Sequence, residues 1–308
     1  MADLPGVRCE PYKPPFTNSG VDCFGNFYVT IGRSSVKRYG CVFVCLSTRA
    51  IHIEKLELMD SDSFINCLRR FTARRGVPDT LYCDHGSNFM GAISELKELS
   101  EEQIQDYCQR QDIQWILNPP AASHMSGAWE RLIRTIRKVL NPMLLNAGSL
   151  KDEVLETFFC EVENVVNGRP LTYVGDSADD LAPLSPNHFL RLRDGSALPP
   201  GSFCPNDKYR SRWMYVQHLA NQFWSRWTKE YLADLQARQK WHDDQRDLKV
   251  GDVVVILDES TPRYLWPLGR VVEVKEGRDK HVRAAVVKTK ASRLERPITK
   301  LVLVEACI

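Results

Sequence analysis

No apolar run in this chain approaches the roughly 18 residues that a membrane-spanning helix needs. The amino terminus, MADLP, carries neither a basic leader nor an apolar signal segment. Neither membrane residence nor secretion is therefore expected. Cysteine pairs at metal-binding spacing are missing too: ten cysteines are spread over 308 residues with no C-x-x-C among them. That excludes a disulfide scaffold and argues against a zinc site. Cys41 and Cys45, four apart in an apolar strand, share a face and read as packing residues in a reducing compartment. Net charge is nearly absent as well, at a formal +2. This excludes little, because a nucleic-acid binder that also carries acidic ligands can concentrate its positive charge locally. What remains is a 43% hydrophobic, 26% charged chain, which reads as a globular protein with room for roughly two domains.

Three acids stand out: Asp22, Asp84 and Glu130. Asp22 lies inside an extended run (SGVDCFGNFYV), Asp84 closes a short apolar one (TLYCD), and Glu130 opens an amphipathic helix (SGAWERLIRTIRKVL). Two strand carboxylates and one helical carboxylate can converge on a pair of divalent cations about 3.5–4 Å apart, the arrangement that serves in-line displacement at phosphorus. Singly, each is weak evidence. An Asp at a strand end is more often a turn former, and a Glu at a helix start more often complements the helix dipole.

The company of each acid shifts the balance. Asp84 is followed by His85-Gly86-Ser87-Asn88-Phe89, and Glu130 is preceded by Pro119-Pro120, Ser123-His124 and Gly127-Ala128-Trp129. With VDCFG upstream, these motifs resemble, in order and context, the retroviral-type integrase and transposase superfamily, and within it the integrases of BEL/Pao-type long-terminal-repeat retrotransposons. The resemblance spans nearly the whole chain, through FWSRWTKEYLADLQARQKW, WPLGRVVEV and RPITKLVLVE. The 45 residues between Asp84 and Glu130 exceed the superfamily's commonest spacing, and the excess falls in the polar stretch from Ser94 to Arg110. Retroviral integrases place a His/Cys zinc module ahead of the core; none stands here, so the chain is expected to be part of a longer polyprotein or a truncated gene.

The resemblance implies an α/β fold: an RNase H-like catalytic core with a five-stranded mixed sheet, then a long helix and a small SH3-like β-barrel. Strand-like runs cover Val21–Ile31, Tyr39–Ser47 and Ile51–Leu58, followed by a helix with Ser61 as N-cap and Phe64, Leu68 and Phe71 on one face. Thr80–Cys83 and Gln114–Leu117 are short strands, and Ser94–Arg110 and Asp152–Asn167 are helical. Asn118–Met125 is a candidate mobile flap or a plain connector. The expected organisation is a linker at 1–18, a core at 19–175, an irregular wrap and helical connector at 176–247, and a basic barrel at 248–308.

The implied chemistry is that of a two-metal polynucleotidyl transferase and nuclease, with Asp22, Asp84 and Glu130 holding two Mg²⁺ or Mn²⁺ ions and no organic cofactor. Double-stranded DNA, as element ends and target, is the implied partner, met in the nucleus after cytoplasmic synthesis. Arg131, Arg134, Arg137 and Lys138 form a basic stripe beside Glu130 and are expected to touch the DNA backbone, against the ordinary alternative of a solvated face. Between Thr261 and Leu303 eleven basic residues face four acids. That local excess makes the barrel, with Arg270, Lys288 and Lys290, a nucleic-acid platform, with a peptide-binding barrel as the alternative. His85 and His124 read as polar loop residues near the cleft. The helix from Trp213 to Leu235 carries five large aromatics and reads either as a helix docked on its own core or as a seam with a second copy. A homo-oligomer is expected, because joining two element ends needs two active sites. The competing reading is a domesticated or decayed integrase that binds nucleic acid or protein without chemistry; a stand-alone RNase H-like nuclease would leave the barrel without a place.

Overall fold

The computed structural model describes residues 12–84, 86–103, 113–117, 127–145, 147, 150–173, 183–192, 211–235, 246–258, 261, 263–277 and 280–306. The chain divides into two compact units: residues 1–166 with 201–223, and residues 167–200 with 224–308.

The first unit is built on a mixed sheet. Strand β1 (Asn18–Ile31) pairs antiparallel with β2 (Ser34–Cys45), and β2 with β3 (Ile51–Leu56). Helix α1 (Ser61–Arg75) returns the chain to β4 (Thr80–Cys83), which lies parallel to β1; after α2 (Ser87–Gln103), β5 (Gln114–Leu117) pairs parallel with β4. The strand order is β3-β2-β1-β4-β5, and after α3 (Gly127–Leu145) the two-residue β6 (Leu150–Lys151) joins the far end of β1. Helix α4 (Asp152–Asn167) follows directly. This five-stranded mixed sheet, with β6 beside it, is the one expected from the sequence.

Period-two alternation sorts the sheet residues onto two faces. Val21, Cys23, Cys41 and Phe43 face α1, where Phe43 stacks on Phe71 at 4.0 Å. Asp22 and Phe24 face the other way, and Phe24 packs on Phe159 of α4 at 5.9 Å. Phe24 lies directly over its cross-strand partner Gly40; a Cβ there would stand 2.4 Å from the ring. Cys41 and Cys45 are fully buried, the packing role expected of them.

Two helix starts differ from expectation. The N-cap of α1 is Asp60, not Ser61: its carboxylate accepts from the Ser63 N–H at 2.9 Å, a stronger cap than a hydroxyl would give. Helix α2 begins at Ser87 rather than Ser94, because Phe89, Ala92 and Ile93 bury an apolar face and Phe89 meets Phe64 of α1 edge-on at 4.7 Å.

The open edge of β3 is closed by charge. Glu163 of α4 accepts from the Ile53 N–H at 3.0 Å, and Arg70 donates to the Lys55 carbonyl at 2.7 Å, so edge groups that could recruit another strand are already used. Behind them His52, 1% exposed, lies between Glu54 (2.7 Å) and Glu163 (3.3 Å), while Arg70 pairs with Glu54 and Arg75 with Glu163. Burial pulls His52 down, but the hydrogen bonds to Glu163 and Glu54 reverse this and hold it above the ordinary histidine value. Burial likewise pushes Glu54 and Glu163 up, and their bonds to His52 and the arginines bring both below the usual carboxylate range.

The second unit contains two short strands, β7 (Thr172–Tyr173) and β8 (Pro183–Leu184), and helix α5 (Pro186–Arg191). Helix α6 (Arg212–Leu235) contributes its first half to the first unit and its second half to this one. An antiparallel sheet follows, made of β9 (Val253–Ile256), β10 (Leu268–Glu276), β11 (Val282–Lys288), β12 (Arg293–Pro297) and β13 (Leu301–Glu305), in the order β12-β11-β10-β9-β13. Strand β9 is apolar at every position because both faces are covered. Val254 and Ile256 join Val271, Val287 and Leu301, whereas Val255 packs with Leu268, Val302 and Leu232 of α6.

Three of the α6 aromatics are buried within the chain itself, as the reading of a helix docked on its own core expects. Phe223 and Trp227 are fully buried and Trp224 is 8% exposed. Within the first unit Phe223 meets Phe158; within the second, Trp224 meets Trp266 and Trp227 stacks on Tyr231. The two ends of the helix serve different units, so several faces are covered in turn. Trp213 is left exposed. Residues 236–245, expected to extend the helix, and residues 1–11 of the expected linker lie outside the described residues.

The β3 edge yields a stability prediction. Glu163→Ala strands His52 and Arg75 and should cost about 3–5 kcal/mol, read from the urea midpoint. The pH dependence has two limbs. The depressed carboxylates contribute fully above the unfolded value of about 4.3 and lose that contribution as pH falls through their folded values. The raised His52 contributes fully below about 6.5 and loses its part as pH rises through its folded value. Stability from this network should therefore peak between those limits in wild type and flatten in the variant. A variant that melts like wild type with the same pH profile would remove the network from the account.

Candidate functional site

The site grows from the β1–β4 ladder. Asn18 pairs with Thr80, Ser19 with Leu81 and Gly20 with Tyr82. Asp22 lies two residues beyond the last paired residue of β1, on the face of the sheet that meets α3, and Asp84 directly follows the end of β4. The alignment is anchored at its root, where the Thr17 carbonyl accepts from both Asp79 N–H (2.8 Å) and Thr80 N–H (3.2 Å). Asp22 is half-buried; Asp84, just past the strand end, is exposed.

Asp84 has a local task. Its Oδ1 accepts from the Gly86 N–H at 2.9 Å, and the Gly86 carbonyl accepts from Phe89 and Met90 at the start of α2. The ordinary turn-forming role of an aspartate is thus present. It occupies one oxygen of the carboxylate and points the residue at the strand end where a site would need it. Gly86 has room for nothing larger without adjustment: a Cβ would stand 3.0 Å from Asp84 Oδ1 and 2.8 Å from Asn88 Oδ1.

Helix α3 lies against β1 through an apolar face of Ile133, Ile136, Leu140 and Met143. Arg134 and Lys138 are exposed beside it. Arg137 is turned inward, its Nη1 donating to Asp22 Oδ2 at 2.9 Å. Of the expected DNA contacts on this helix, Arg137 therefore meets the sheet carboxylate, an ion pair that helical spacing alone did not reveal. Glu130 lies seven residues earlier, on the same face of α3 and about 10 Å along the axis. Its backbone is helical; its side chain and that of Arg131 lie outside the described residues, as do His85, His124 and the Asn118–Met125 segment.

Among the described residues, no group of three or more histidine, cysteine, aspartate or glutamate side chains is placed to hold a metal ion. The carboxylates described near this end of the sheet are Asp22 and Asp84. The donor chemistry suits a hard divalent ion. Oxygen ligands are offered on one face, while the thiols on the opposite face are kept neutral. Burial, with the charge of Asp84 and the neighbouring Cys23 adding to it, pushes Cys83 up to about 12. Cys41 is raised well above its ordinary value by burial and by hydrogen bonds to the Cys23 and Cys67 thiols. Guanidinium already occupies the outward oxygen of Asp22, which marks that oxygen as a place for positive charge.

The second unit carries its own basic feature. Arg270 pairs across the sheet with Lys288, and Lys288 with Arg293. Residues directly opposed on neighbouring strands point to the same side, so three cations form one rung, with exposed Lys290 in the turn beyond. The next rung is Glu273, Val286 and Glu295, and Lys275 beyond it is paired with Glu295. Like charges directly opposed cost stability. Arg293 was not anticipated, because only the register shows it beside Lys288. Arg270 also has a structural contact, donating to the Gly251 carbonyl at 3.3 Å.

Residues 211–304 match a family of unknown function (DUF5641), under a third of the chain. No curated protein matches. Among solved structures, a chain in the cryo-EM structure of the simian T-cell lymphotropic virus intasome in complex with PP2A regulatory subunit B56 gamma matches at 10% identity. The alignment covers 94% of this chain and 79% of that one, with a TM-score of 0.39. A score that low carries no weight for fold or function.

The turn role and any further role of Asp84 can be separated. Asp84→Asn keeps the acceptor for Gly86 N–H and should leave the melting temperature near wild type. Asp84→Ala removes it and should cost about 0.5–1.5 kcal/mol. Equal stability of the two variants would show that the turn does not depend on this side chain.

Proposed function

We propose that this chain is the catalytic core and DNA-gripping domain of a retroelement integrase of the BEL/Pao kind, with an RNase H-like core and an SH3-like small domain. The single observation that supports this reading is the parallel β1–β4 pairing, which runs toward Asp22 on one strand and Asp84, 62 positions later, just past the other. The helix bearing Glu130 lies against β1. The motifs around all three acids supply the rest.

In this reading Asp22, Asp84 and Glu130 hold two Mg²⁺ or Mn²⁺ ions, which when bound activate a nucleophile and stabilise the leaving oxygen in end processing and strand transfer. The residues of the chain do the positioning. The ladder runs toward both Asp22 and Asp84, the Gly86 turn fixes the orientation of Asp84, and the buried thiols leave the donor set to oxygen. Arg134, Lys138 and Arg131 grip the phosphate backbone beside the site, and the Arg270–Lys288–Arg293 rung with Lys290 grips it from the second unit. Joining two element ends to one target requires at least two active sites in fixed relation, so the working form is a homo-oligomer on double-stranded DNA, acting in the nucleus.

Asp22→Asn, Asp84→Asn and Glu130→Gln should each abolish metal-dependent cleavage and joining of end-mimicking oligonucleotides while leaving the circular dichroism unchanged. Joining at wild-type rate by any of them would remove that residue from the site, and inactivity of the wild-type chain with intact DNA binding would favour the non-catalytic reading. For the rung, Lys288→Glu and Arg293→Glu should weaken DNA binding uniformly across sequences and flatten the plot of log affinity against log salt by about one unit per lost phosphate contact. An unchanged slope would place the DNA elsewhere.

A further inference from the structure

The Arg137–Asp22 pair has a consequence beyond backbone gripping. Arg137 is half-exposed and Asp22 half-buried, with 2.9 Å between Nη1 and Oδ2. Asp84, directly after β4, spends one oxygen on the Gly86 N–H and has no basic partner among the described residues. The cation on Asp22 therefore belongs to a long side chain that is half-exposed to solvent. A divalent ion bound by Asp22 would lie beside that guanidinium, and the two positive charges repel most where water is partly excluded.

The geometry points to Arg137 as an exchangeable counter-ion of the site, an inference that rests on the metal-binding reading above. It holds the Asp22 carboxylate before metal arrives, gives up that oxygen to the metal, and moves to a DNA phosphate. Planar, permanently charged and able to grip either a carboxylate or a phosphate in the same fork, arginine suits both positions. Metal and DNA then favour each other. Without DNA the displaced guanidinium has only water to turn to, so metal competes against it; with DNA it has a phosphate, so metal binds more readily. By linkage the same factor must appear in DNA affinity when metal is added.

The test is Mn²⁺ binding to the full chain without DNA, counted from the free-ion electron paramagnetic resonance signal, with no turnover involved. Arg137→Gln and the second neutral variant Arg137→Met should bind Mn²⁺ about tenfold more tightly than wild type. Arg69→Gln, which removes an exposed charge from α1, should not. Adding DNA should tighten Mn²⁺ binding to wild type by a larger factor than it tightens binding to the Arg137 variants. Wild type that binds Mn²⁺ in an Asp22-dependent way, with neutral variants binding equally or more weakly, overturns the counter-ion role alone. Wild type that binds no Mn²⁺, indistinguishable from Asp22→Asn, overturns the metal-binding reading and this inference with it.

Discussion

Parallel pairing of β1 with β4 is the constraint on which the rest depends. Side chains alternate along a strand, so a slip of one residue would turn every β4 side chain to the opposite face. The register is held at its root by Thr17, whose carbonyl takes two N–H groups from the start of β4, and by burial of Leu81 and Cys83 between layers. From this follow the position of Asp84 at the strand tip, the turn through Gly86 and the start of α2. Helix α3 packs its apolar face on β1 and turns Arg137 to Asp22.

Two kinds of ionic arrangement serve different ends in the first unit. At the β3 edge, His52, Glu54, Glu163 and the arginines of α1 satisfy one another, and the buried charges also close an aggregation-prone strand edge. At the β1–β4 end Asp22 is less enclosed and pairs with the half-exposed Arg137. The first arrangement is costly to disturb. The second is open to exchange, as a binding site for cations and phosphates requires.

Much of this was legible in the sequence, and the gaps have physical causes. The strands and α4 follow from alternation and helical period, and the three acids stood out through their neighbours. What pattern could not supply is register. It sets Arg293 beside Lys288, and, likewise beyond pattern, helix packing brings the arginines of α1 to Glu54. The start of α2 lies seven residues before Ser94, because Phe89, Ala92 and Ile93 bury an apolar face that the polar stretch beyond does not reveal. The α6 aromatics left both readings open, because pattern does not show that the helix serves one unit along its first half and another along its second. Strand β12 carries no apolar alternation and is held by its ladder to β11.

Anomalous diffraction from crystals of the full chain soaked in Mn²⁺ tests the central claim most directly. The account predicts density bounded by the carboxylates of Asp22, Asp84 and Glu130, with the Arg137 guanidinium moved off Asp22. Anomalous density elsewhere, or none at that strand end with the Arg137–Asp22 pair intact, would contradict it.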